Sequence, residues 1–443
     1  MKCRKAKPNP LAPFPAREGG TTAKWALSML MCVAALAATG NATPPVTQVP
    51  IRGDGASAIA AADFNGDGRS DLAVANRSTN TIAVYMRQPD GSFPAVPTRL
   101  LSSAVKEVLA GRRAVIAAAL NRDGKTDLIL ANSLANTVEV FRGRGDGTFL
   151  APTTVTTIAL PTGLVVADFN RDTYPDLAIV SQGTNKVRIL RGRADGTLEP
   201  GGDFIAGSQP TSIVAGDFGS SSTDAARDGY LDLAVTATGD GHINVLFGDG
   251  GGGLSAPASY TSQAGTAAIV AADFNADGVV DLAMANADAN AVGVNLGIGK
   301  GKLGSFEGAT IAATADFGSG MRPVGLAAAD FDGDGKPDLA VAVEAAMPNR
   351  SGVFLLLNRL KPRLRYVIFD PPVLCAPGSV PLALTAADFS GTGVANDLAI
   401  FTKEPERVEL LFADGKGGLT NCASPQQLGT GPGGNKLATN TAP

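Results

Sequence analysis

The sequence has 443 residues, of which 44% are hydrophobic and 18% are charged, and its formal net charge is −4 at pH 7. This composition can fill a large core and argues against wholesale disorder, and the mild acidity disfavours nucleic-acid binding, which needs a basic surface. The single histidine, His242, argues against sites built from several imidazoles, such as histidine-rich zinc centres.

Residues 1–42 are predicted to form a secretory signal peptide. Several basic residues precede an apolar run of 14 residues from Trp25 to Ala38. A helix needs roughly 20 apolar residues to cross a bilayer, so this run is short for a membrane span and typical of a signal sequence. Cleavage is expected between Ala37 and Ala42, and an uncleaved membrane anchor is the alternative. The mature protein is expected to be secreted, periplasmic or at the cell surface, without a stable membrane span.

Two cysteines, Cys375 and Cys422, remain after the predicted cleavage. A pair of cysteines in an exported protein favours one disulfide, because export exposes the thiols to an oxidising compartment. Two free thiols are the alternative.

One motif recurs seven times along the rest of the chain. Its first copy reads AADFNGDGRSDLAVAN from Ala61, and the seven copies have their first loop position at residues 63, 119, 168, 217, 273, 330 and 388. A repeat period near 50 residues is typical of a propeller or a solenoid.

Each repeat is predicted to contain four short strands separated by turns rich in Gly, Asp and Asn. The first strand is rich in Ala and Gly, whereas the second and third carry Leu, Val, Ile and Phe. Small residues in the first strand suit the crowded axis of a propeller, and the terminal copies lack the polar caps that an open solenoid needs. The predicted fold is all-β: a seven-bladed β-propeller of four-stranded antiparallel blades over residues 43–423.

Ring closure is predicted at the N-terminus of the mature chain. Residues near Val46–Ile51 precede the first motif where the other repeats place a fourth strand, and we expect them to complete the seventh blade. Residues 424–443 are predicted to be a flexible C-terminal tail. A Cys375–Cys422 bridge would tie the start of that tail to a neighbouring blade edge.

The loop of the first copy has the spacing of a calcium-binding loop. Oxygen-bearing side chains occupy loop positions 1, 3, 5 and 9, namely Asp63, Asn65, Asp67 and Asp71. Gly at position 6 permits a tight turn, and Arg69 at position 7 can offer its backbone carbonyl. Hard oxygen donors without His or Cys favour calcium over zinc or copper.

The other copies match this pattern to different degrees. Copies 5 and 6 match fully, copy 3 has Thr173 in place of the Gly, and copy 2 has Ala119 in place of the first Asp. The candidate ligands are Asp273, Asn275, Asp277 and Asp281 in copy 5; Asp330, Asp332, Asp334 and Asp338 in copy 6; Asp168, Asn170, Asp172 and Asp176 in copy 3; and Asn121, Asp123 and Asp127 in copy 2. In copies 4 and 7, which start at Asp217 and Asp388, hydrogen bonding within a turn is the preferred interpretation, with Asp224 as a substitute ligand candidate in copy 4.

The strings ADFNGDGRSDLAVAN and RGRGDGTF resemble the FG-GAP/VCBS repeat family, whose propeller repeats also occur in integrin alpha subunits. The resemblance extends over nearly all of the predicted mature chain. It implies a seven-bladed propeller, several structural calcium ions in the loops and an extracellular binding or adhesion role.

The expected function is therefore that of a secreted, non-enzymatic calcium-binding propeller, monomeric, that binds an extracellular protein or glycan. A propeller-type lectin is one alternative, although the five tyrosines are expected not to recur at one repeat position, which disfavours a multivalent lectin. A calcium-assisted polysaccharide lyase is the other, with Arg112 and Arg113 as possible catalytic bases; no catalytic constellation stands out in the sequence.

Overall fold

Seven separate four-stranded antiparallel sheets form the computed structural model of the protein. The structure describes residues 48–50, 56–76, 81–94, 96–101, 113–219, 227–297, 315–317, 320–346, 350–359, 367, 369–403, 406–413, 418–420 and 422. The predicted signal peptide and the predicted tail lie outside the described residues. Within the described ranges, no helix combines the length and the apolar character needed to cross a membrane.

The first strand in the chain is β1 (Gln48–Pro50), and the strands after it follow one another from blade to blade. Blade 1 contains β2 (Ala56–Ala62), β3 (Asp71–Asn76), β4 (Thr81–Tyr85) and β5 (Thr98–Leu101). Blade 2 contains β6 (Arg113–Ala118), β7 (Asp127–Asn132), β8 (Thr137–Phe141) and β9 (Thr153–Thr157). Blade 3 contains β10 (Pro161–Ala167), β11 (Asp176–Ser181), β12 (Lys186–Gly192) and β13 (Leu198–Ile205).

The remaining blades repeat this order. Blade 4 contains β14 (Pro210–Gly216), β15 (Asp232–Ala237), β16 (His242–Leu246) and β17 (Ala258–Thr261). Blade 5 contains β18 (Thr266–Ala272), β19 (Asp281–Asn286), β20 (Ala291–Asn295) and β21 (Ala315–Asp316). Blade 6 contains β22 (Met321–Ala329), β23 (Asp338–Ala345), β24 (Gly352–Leu356) and β25 (Val373–Cys375), and blade 7 contains β26 (Pro381–Ala387), β27 (Asp397–Lys403) and β28 (Glu406–Leu411).

The blades close into a ring, which confirms the predicted seven-bladed β-propeller. The first strand of each blade contacts the first strand of the next, and β26 of blade 7 returns to β2 of blade 1. The first strands are only partly buried along the axis, whereas the described residues of every second strand are buried almost without exception. Small side chains on the first strands allow seven sheets to converge at the axis, as the composition predicted.

The hydrophobic core is divided into seven clusters, and each cluster lies between two adjacent blades. The cluster between blades 1 and 2, for example, joins Ile82 and Val84 of one blade to Leu128 and Phe141 of the other. Equivalent clusters fill the other six interfaces, including the one between blades 7 and 1. A blade therefore buries its apolar faces only against its neighbours, so the stability of the fold depends on closure of the ring.

Closure follows the prediction made for the N-terminal strand. β1 pairs antiparallel with β28, with Val49 opposite Val408, and completes blade 7 as its fourth strand. Val49 is 1% exposed and belongs to the cluster between blades 7 and 1. One sheet thus joins the two ends of the propeller.

A disulfide joins Cys375 to Cys422, as the cysteine count favoured. Cys375 ends β25, the outer strand of blade 6, while Cys422 follows β28 of blade 7. The bridge therefore joins the outer strand of blade 6 to the segment that follows β28 of blade 7.

Replacing the central residue of the closing strand tests how far stability depends on ring closure. Val49→Asp places a charge in the cluster between blades 7 and 1, and we expect the free energy of unfolding to fall by about 3 kcal/mol or more. Thr154→Asp is the control, because Thr154 is exposed on β9, which is also the outermost strand of its blade. Chemical denaturation measures both; equal effects would contradict a closing role for β1.

Candidate functional site

Seven loops, one in each blade, connect the first strand to the second, and we number them loop 1 to loop 7. Each loop ends in an aspartate that begins the second strand, called here the closing aspartate. The seven are Asp71, Asp127, Asp176, Asp232, Asp281, Asp338 and Asp397. All seven are at most 1% exposed, so the carboxylates that sequence analysis assigned to loop position 9 belong to the protein interior.

Each closing aspartate accepts two backbone hydrogen bonds that fix the shape of its loop. In loop 1, Asp71 Oδ2 accepts from the N–H of Phe64 at 3.0 Å, and Oδ1 accepts from the N–H of Arg87 beyond the third strand at 2.6 Å. Loop 5 repeats this with Phe274 at 2.8 Å and Gly297 at 2.7 Å around Asp281. The other five loops have the same pair of bonds.

The aspartate at loop position 1 organises the front of the loop. Asp63 Oδ1 accepts from the N–H of Gly66 at 2.7 Å, and Oδ2 accepts from the N–H of Gly68 at 2.7 Å. Asp168, Asp273, Asp330 and Asp388 accept equivalent bonds from their own loops. Loop 2 has no such anchor, because Ala119 occupies this position.

Positions 4 and 6 of loop 1 adopt left-handed backbone conformations. Gly66 and Gly68 have φ of 76° and 80°, so the expected role of the glycine in loop 1 is confirmed. Thr173 at position 6 of loop 3 has φ of 75°, which is a strained conformation for a β-branched residue. Thr173, which made loop 3 a poorer match to the motif, therefore adopts a backbone conformation that is energetically unfavourable for threonine.

Loop 6 brings three acidic side chains together. Oxygen atoms of Asp330, Asp332 and Asp338 all lie within 4.8 Å of one another, and within the described ranges this is the one group of three or more acidic, histidine or cysteine side chains so close. Asp334, the fourth predicted ligand, instead pairs with Lys336 at 2.5 Å. The three carboxylates offer the hard oxygen donors that suit a divalent cation such as calcium or magnesium.

The electrostatics of loop 6 also favour a bound cation. The pKa of Asp338 is raised to about 7, chiefly by burial and also by the nearby Asp332 and Asp330 carboxylates, which together outweigh the backbone hydrogen bonds that lower it. Arg359 lies beside the triad, with its Nη1 2.5 Å from Asp332 and its Nε 2.6 Å from Asp370. The triad thus carries more negative charge than its single arginine neutralises.

In loops 1, 3 and 5 the predicted ligands lie in the same loops, but their side chains bond to one another. Asn65 Nδ2 donates to Asp67 Oδ2 at 2.9 Å, and the equivalent asparagines, Asn170 and Asn275, donate at 2.8 Å and 2.9 Å. In loop 1, Asp67 also pairs with the side chain of Arg69 at 2.5 Å. The assignment of these residues as metal ligands remains a prediction.

Loop 2 carries its own positive charge. Arg142 Nη1 lies 2.7 Å from Asp127 Oδ2, and Nη2 of the same guanidinium donates to the carbonyl of Gly196 in blade 3. The remaining predicted ligands, Asn121 and Asp123, bond to each other at 3.1 Å. Loop 4 is described only in part, and Asp224 lies outside the described residues.

The face of the propeller that carries loops 1 to 7, called here the loop face, also contains residues that sequence analysis did not single out. Arg122 and Arg171 occupy position 4 of loops 2 and 3, with φ of 57° and 61°. The Arg122 guanidinium carbon lies 6.0 Å from the centre of the Tyr174 ring in loop 3, and that of Arg171 lies 5.4 Å from the centre of the Tyr230 ring in loop 4. Each pair thus joins two adjacent loops.

The expectation that the tyrosines share no repeat position was wrong. Tyr174 and Tyr230 each stand two residues before a closing aspartate, Asp176 and Asp232. The insertion in the fourth copy hides this agreement when the copies are aligned on their first Asp. Counting back from the closing aspartate would have revealed it.

The recurring motif matches a known family. The model of the FG-GAP-like repeat matches residues 63–128, 119–179, 224–284 and 273–341, which together cover more than half of the chain. The chain therefore belongs to the FG-GAP-like repeat family, as its resemblance predicted. A search of curated proteins found no significant match.

Solved structures share the fold at low sequence identity. BBS1N, crystallised in complex with ARL6DN, matches with a TM-score of 0.54 at 14% identity over 83% of this chain and 95% of that chain. Virginiamycin B lyase from Staphylococcus aureus matches with a TM-score of 0.50 at 13% identity over 82% and 97%. An N-acetylglucosamine-recognising lectin of Agrocybe aegerita matches with a TM-score of 0.48 at 17% identity over 85% and 93%. At such identities the likeness concerns the fold alone.

Ala276 provides a direct test of loop strain. It occupies position 4 of loop 5 with φ of 56°, where loops 1, 6 and 7 use glycine. Ala276→Gly should raise the free energy of unfolding by about 0.5–1 kcal/mol, because glycine adopts this conformation without the steric cost. Ala256→Gly is the control, since Ala256 is exposed and has no positive φ; it should leave stability unchanged or lower. Destabilisation by Ala276→Gly would show that the loop is unstrained.

The closing aspartates predict how stability depends on pH in the absence of divalent cations. Burial raises the pKa of Asp232 and Asp281 to about 8 and that of Asp71 and Asp176 to about 6, from an ordinary value of 3.8. The folded state then keeps protons that the unfolded chain has lost, so stability should fall as pH rises from about 4 to about 8. Denaturation in excess chelator at several pH values measures this dependence.

Asp281→Asn should reduce that pH dependence, because the amide does not titrate. Asp288→Asn serves as its control, since the side chain of Asp288 is 64% exposed. Stability that rises with pH over the same window would contradict the prediction, because it would mean that the closing carboxylates are stabilised as anions without a cation.

Proposed function

We propose that the protein is an exported calcium-binding β-propeller that acts as a non-enzymatic binding or adhesion module for an extracellular protein or glycan. The observation that carries the proposal is the acidic triad of Asp330, Asp332 and Asp338 in a loop that recurs around the ring. The Cys375–Cys422 disulfide supports export, because such bonds persist mainly in oxidising compartments.

Calcium suits these loops better than a transition metal. Their side chains supply carboxylate and amide oxygens, which calcium prefers and which bind soft metals poorly. In loop 6 the candidate ligands are Asp330, Asp332 and Asp338. In loops 1, 3 and 5 the shared spacing of positions 1, 3, 5 and 9 would let the ion replace the hydrogen bonds between the Asn and Asp side chains.

The position of the only histidine supports a non-enzymatic role. His242 begins β16, at the end of blade 4 opposite the loop that precedes β15, and its Nδ1 lies 3.5 Å from Asp240. It therefore lies on the face of the propeller remote from the acidic loops. The variable turns of the two faces would supply the binding contacts.

Two matched variants test the ion site of loop 6. Asp332 and Asp370 both pair with Arg359, but only Asp332 belongs to the triad. Calorimetric titration of the metal-free protein with calcium should show one ion fewer for Asp332→Asn than for the wild type, and no loss for Asp370→Asn. Equal stoichiometry in all three proteins would exclude loop 6 as a calcium site.

Thermal unfolding tests whether the ions are structural. A site with a dissociation constant of about 0.1 mM contributes about 1.4 kcal/mol at 1 mM free calcium. Excess chelator should therefore lower the melting temperature, and added calcium should restore it. An unchanged melting curve would contradict the proposal. Calcium-dependent release of unsaturated products from uronate polymers would replace the non-enzymatic role with that of a lyase.

A further inference from the structure

Loops 2, 3 and 4 share a feature that the calcium pattern does not require. The residue five positions before the closing aspartate is Arg122, Arg171 or Arg227 in loops 2, 3 and 4, whereas it is Gly66, Ala276 or Gly333 in loops 1, 5 and 6. Loop 7 is one residue longer and has Gly391 at position 4 and Thr392 five residues before Asp397. All three arginines are exposed. One arginine therefore projects from the loop face in each of three consecutive blades, and we call this set the arginine arc.

The backbone at two of these positions is strained. Arg122 and Arg171 have left-handed backbone conformations, which glycine adopts freely at the same position in other loops. Strained residues of this kind are concentrated at functional sites, because a purely structural position would favour the glycine. Loop geometry alone therefore does not account for the arginines.

The two strained arginines are held in place by their neighbours. The guanidinium of Arg122 lies over the Tyr174 ring at a cation–π distance and donates from Nη1 to Thr173 Oγ1 at 2.8 Å, and that of Arg171 lies over the Tyr230 ring. A cation–π contact uses the face of the guanidinium, so its remaining N–H groups can still donate to a carboxylate or a sulfate. In the described part of the chain, no salt bridge engages Arg122, Arg171 or Arg227.

The acidic residues next in sequence form no described salt bridge with the arc. Asp123 accepts from the N–H of Lys125 at 2.9 Å, Asp172 from that of Tyr174 at 2.8 Å, and Asp228 from that of Tyr230 at 2.9 Å. Their carboxylates are thus turned into their own loops. The arc presents positive charge on a protein whose net charge is −4.

We propose that the arginine arc of blades 2–4 binds an acidic polysaccharide through its carboxylate or sulfate groups; this deepens the proposed function, on which it rests. Three positive charges at a regular interval of one blade fit a chain with repeated anionic groups better than they fit one small anion. A nucleic acid fits less well, because its dense phosphates would meet an acidic protein beyond the arc. The adjoining loop oxygens and amides suit the hydroxyl groups between the anionic groups of a polysaccharide.

Glycine substitution separates binding from folding. In Arg122→Gly/Arg171→Gly the two charges are lost while the left-handed backbone is relieved of strain, so the variant should unfold at an unchanged or higher temperature. Isothermal titration in calcium buffer, with an oligogalacturonate and with a chondroitin sulfate oligosaccharide as probes, should show binding of at least one probe to the wild type. The double variant should bind about tenfold more weakly or worse, for a loss of at least 1.4 kcal/mol.

Two further variants complete the test. Ala276→Gly makes the same type of change outside the arc and should keep full binding. Arg227→Glu reverses one charge of the arc and leaves Arg122 and Arg171 in place, so it should weaken binding even if the double glycine variant fails to fold. The carboxylate probe and the sulfate probe together show which anionic group is preferred.

Several results would overturn the inference. The wild type could bind neither acidic probe, or the arginine variants could bind an acidic probe as tightly as the wild type does. Neutral dextran could bind as tightly as the acidic probes, or single-stranded DNA or anionic lipid vesicles could bind more tightly than they do. Calcium stoichiometry is measured on the same samples. Normal calcium binding without oligosaccharide binding would overturn this inference alone, whereas oligosaccharide binding without calcium would overturn only the role of the ion.

Discussion

The structure depends on one repeated interaction: a buried carboxylate that fastens the start of a loop to the end of the third strand. In loop 1, Asp71 holds the backbone of Phe64 on one side and that of Arg87 on the other. Phe64 in turn fills the cluster between blades 1 and 2. The residue after the first loop position does the same in every blade, so loop shape and blade packing are fixed by the same few atoms.

This arrangement explains why the loops tolerate different chemistry at their exposed positions. The closing aspartate and the buried residue at position 2 are common to the loops, whereas the described residues at positions 4 to 7 are at least partly exposed and carry different charges. Loop 6 gathers three carboxylates, and loop 2 balances its closing aspartate with Arg142. Loops 2 and 3 use strained arginines that contact the next loop. A rigid ring thus supports a face whose seven sectors differ in charge.

Much of the fold could be predicted from the sequence, because the same motif recurs seven times along the chain. The period, the small residues of the first strands and the two remaining cysteines predicted the propeller, its closure near Val49 and the single disulfide. The residue type at loop position 6 predicted the left-handed backbone of Gly68 in loop 1 and the less favourable turn at Thr173 in loop 3. The agreement between Tyr174 and Tyr230 was missed, because an insertion shifts the fourth copy when the copies are aligned on their first Asp, whereas alignment on the closing aspartates restores the register.

The sequence by itself determined the blade count, the strand order and the oxygen-bearing loops, since each follows from local patterns repeated along the chain. Only the tertiary structure decided which carboxylate oxygens of a loop lie close enough to share a cation. The distances between these oxygens depend on neighbouring side chains such as Arg359 and Lys336, which pair with Asp332 and Asp334. It also decided that arginines of one blade lie over tyrosine rings of the next. Such contacts join residues 52 and 59 positions apart in the sequence, Arg122 with Tyr174 and Arg171 with Tyr230, and they exist only when the blades lie side by side.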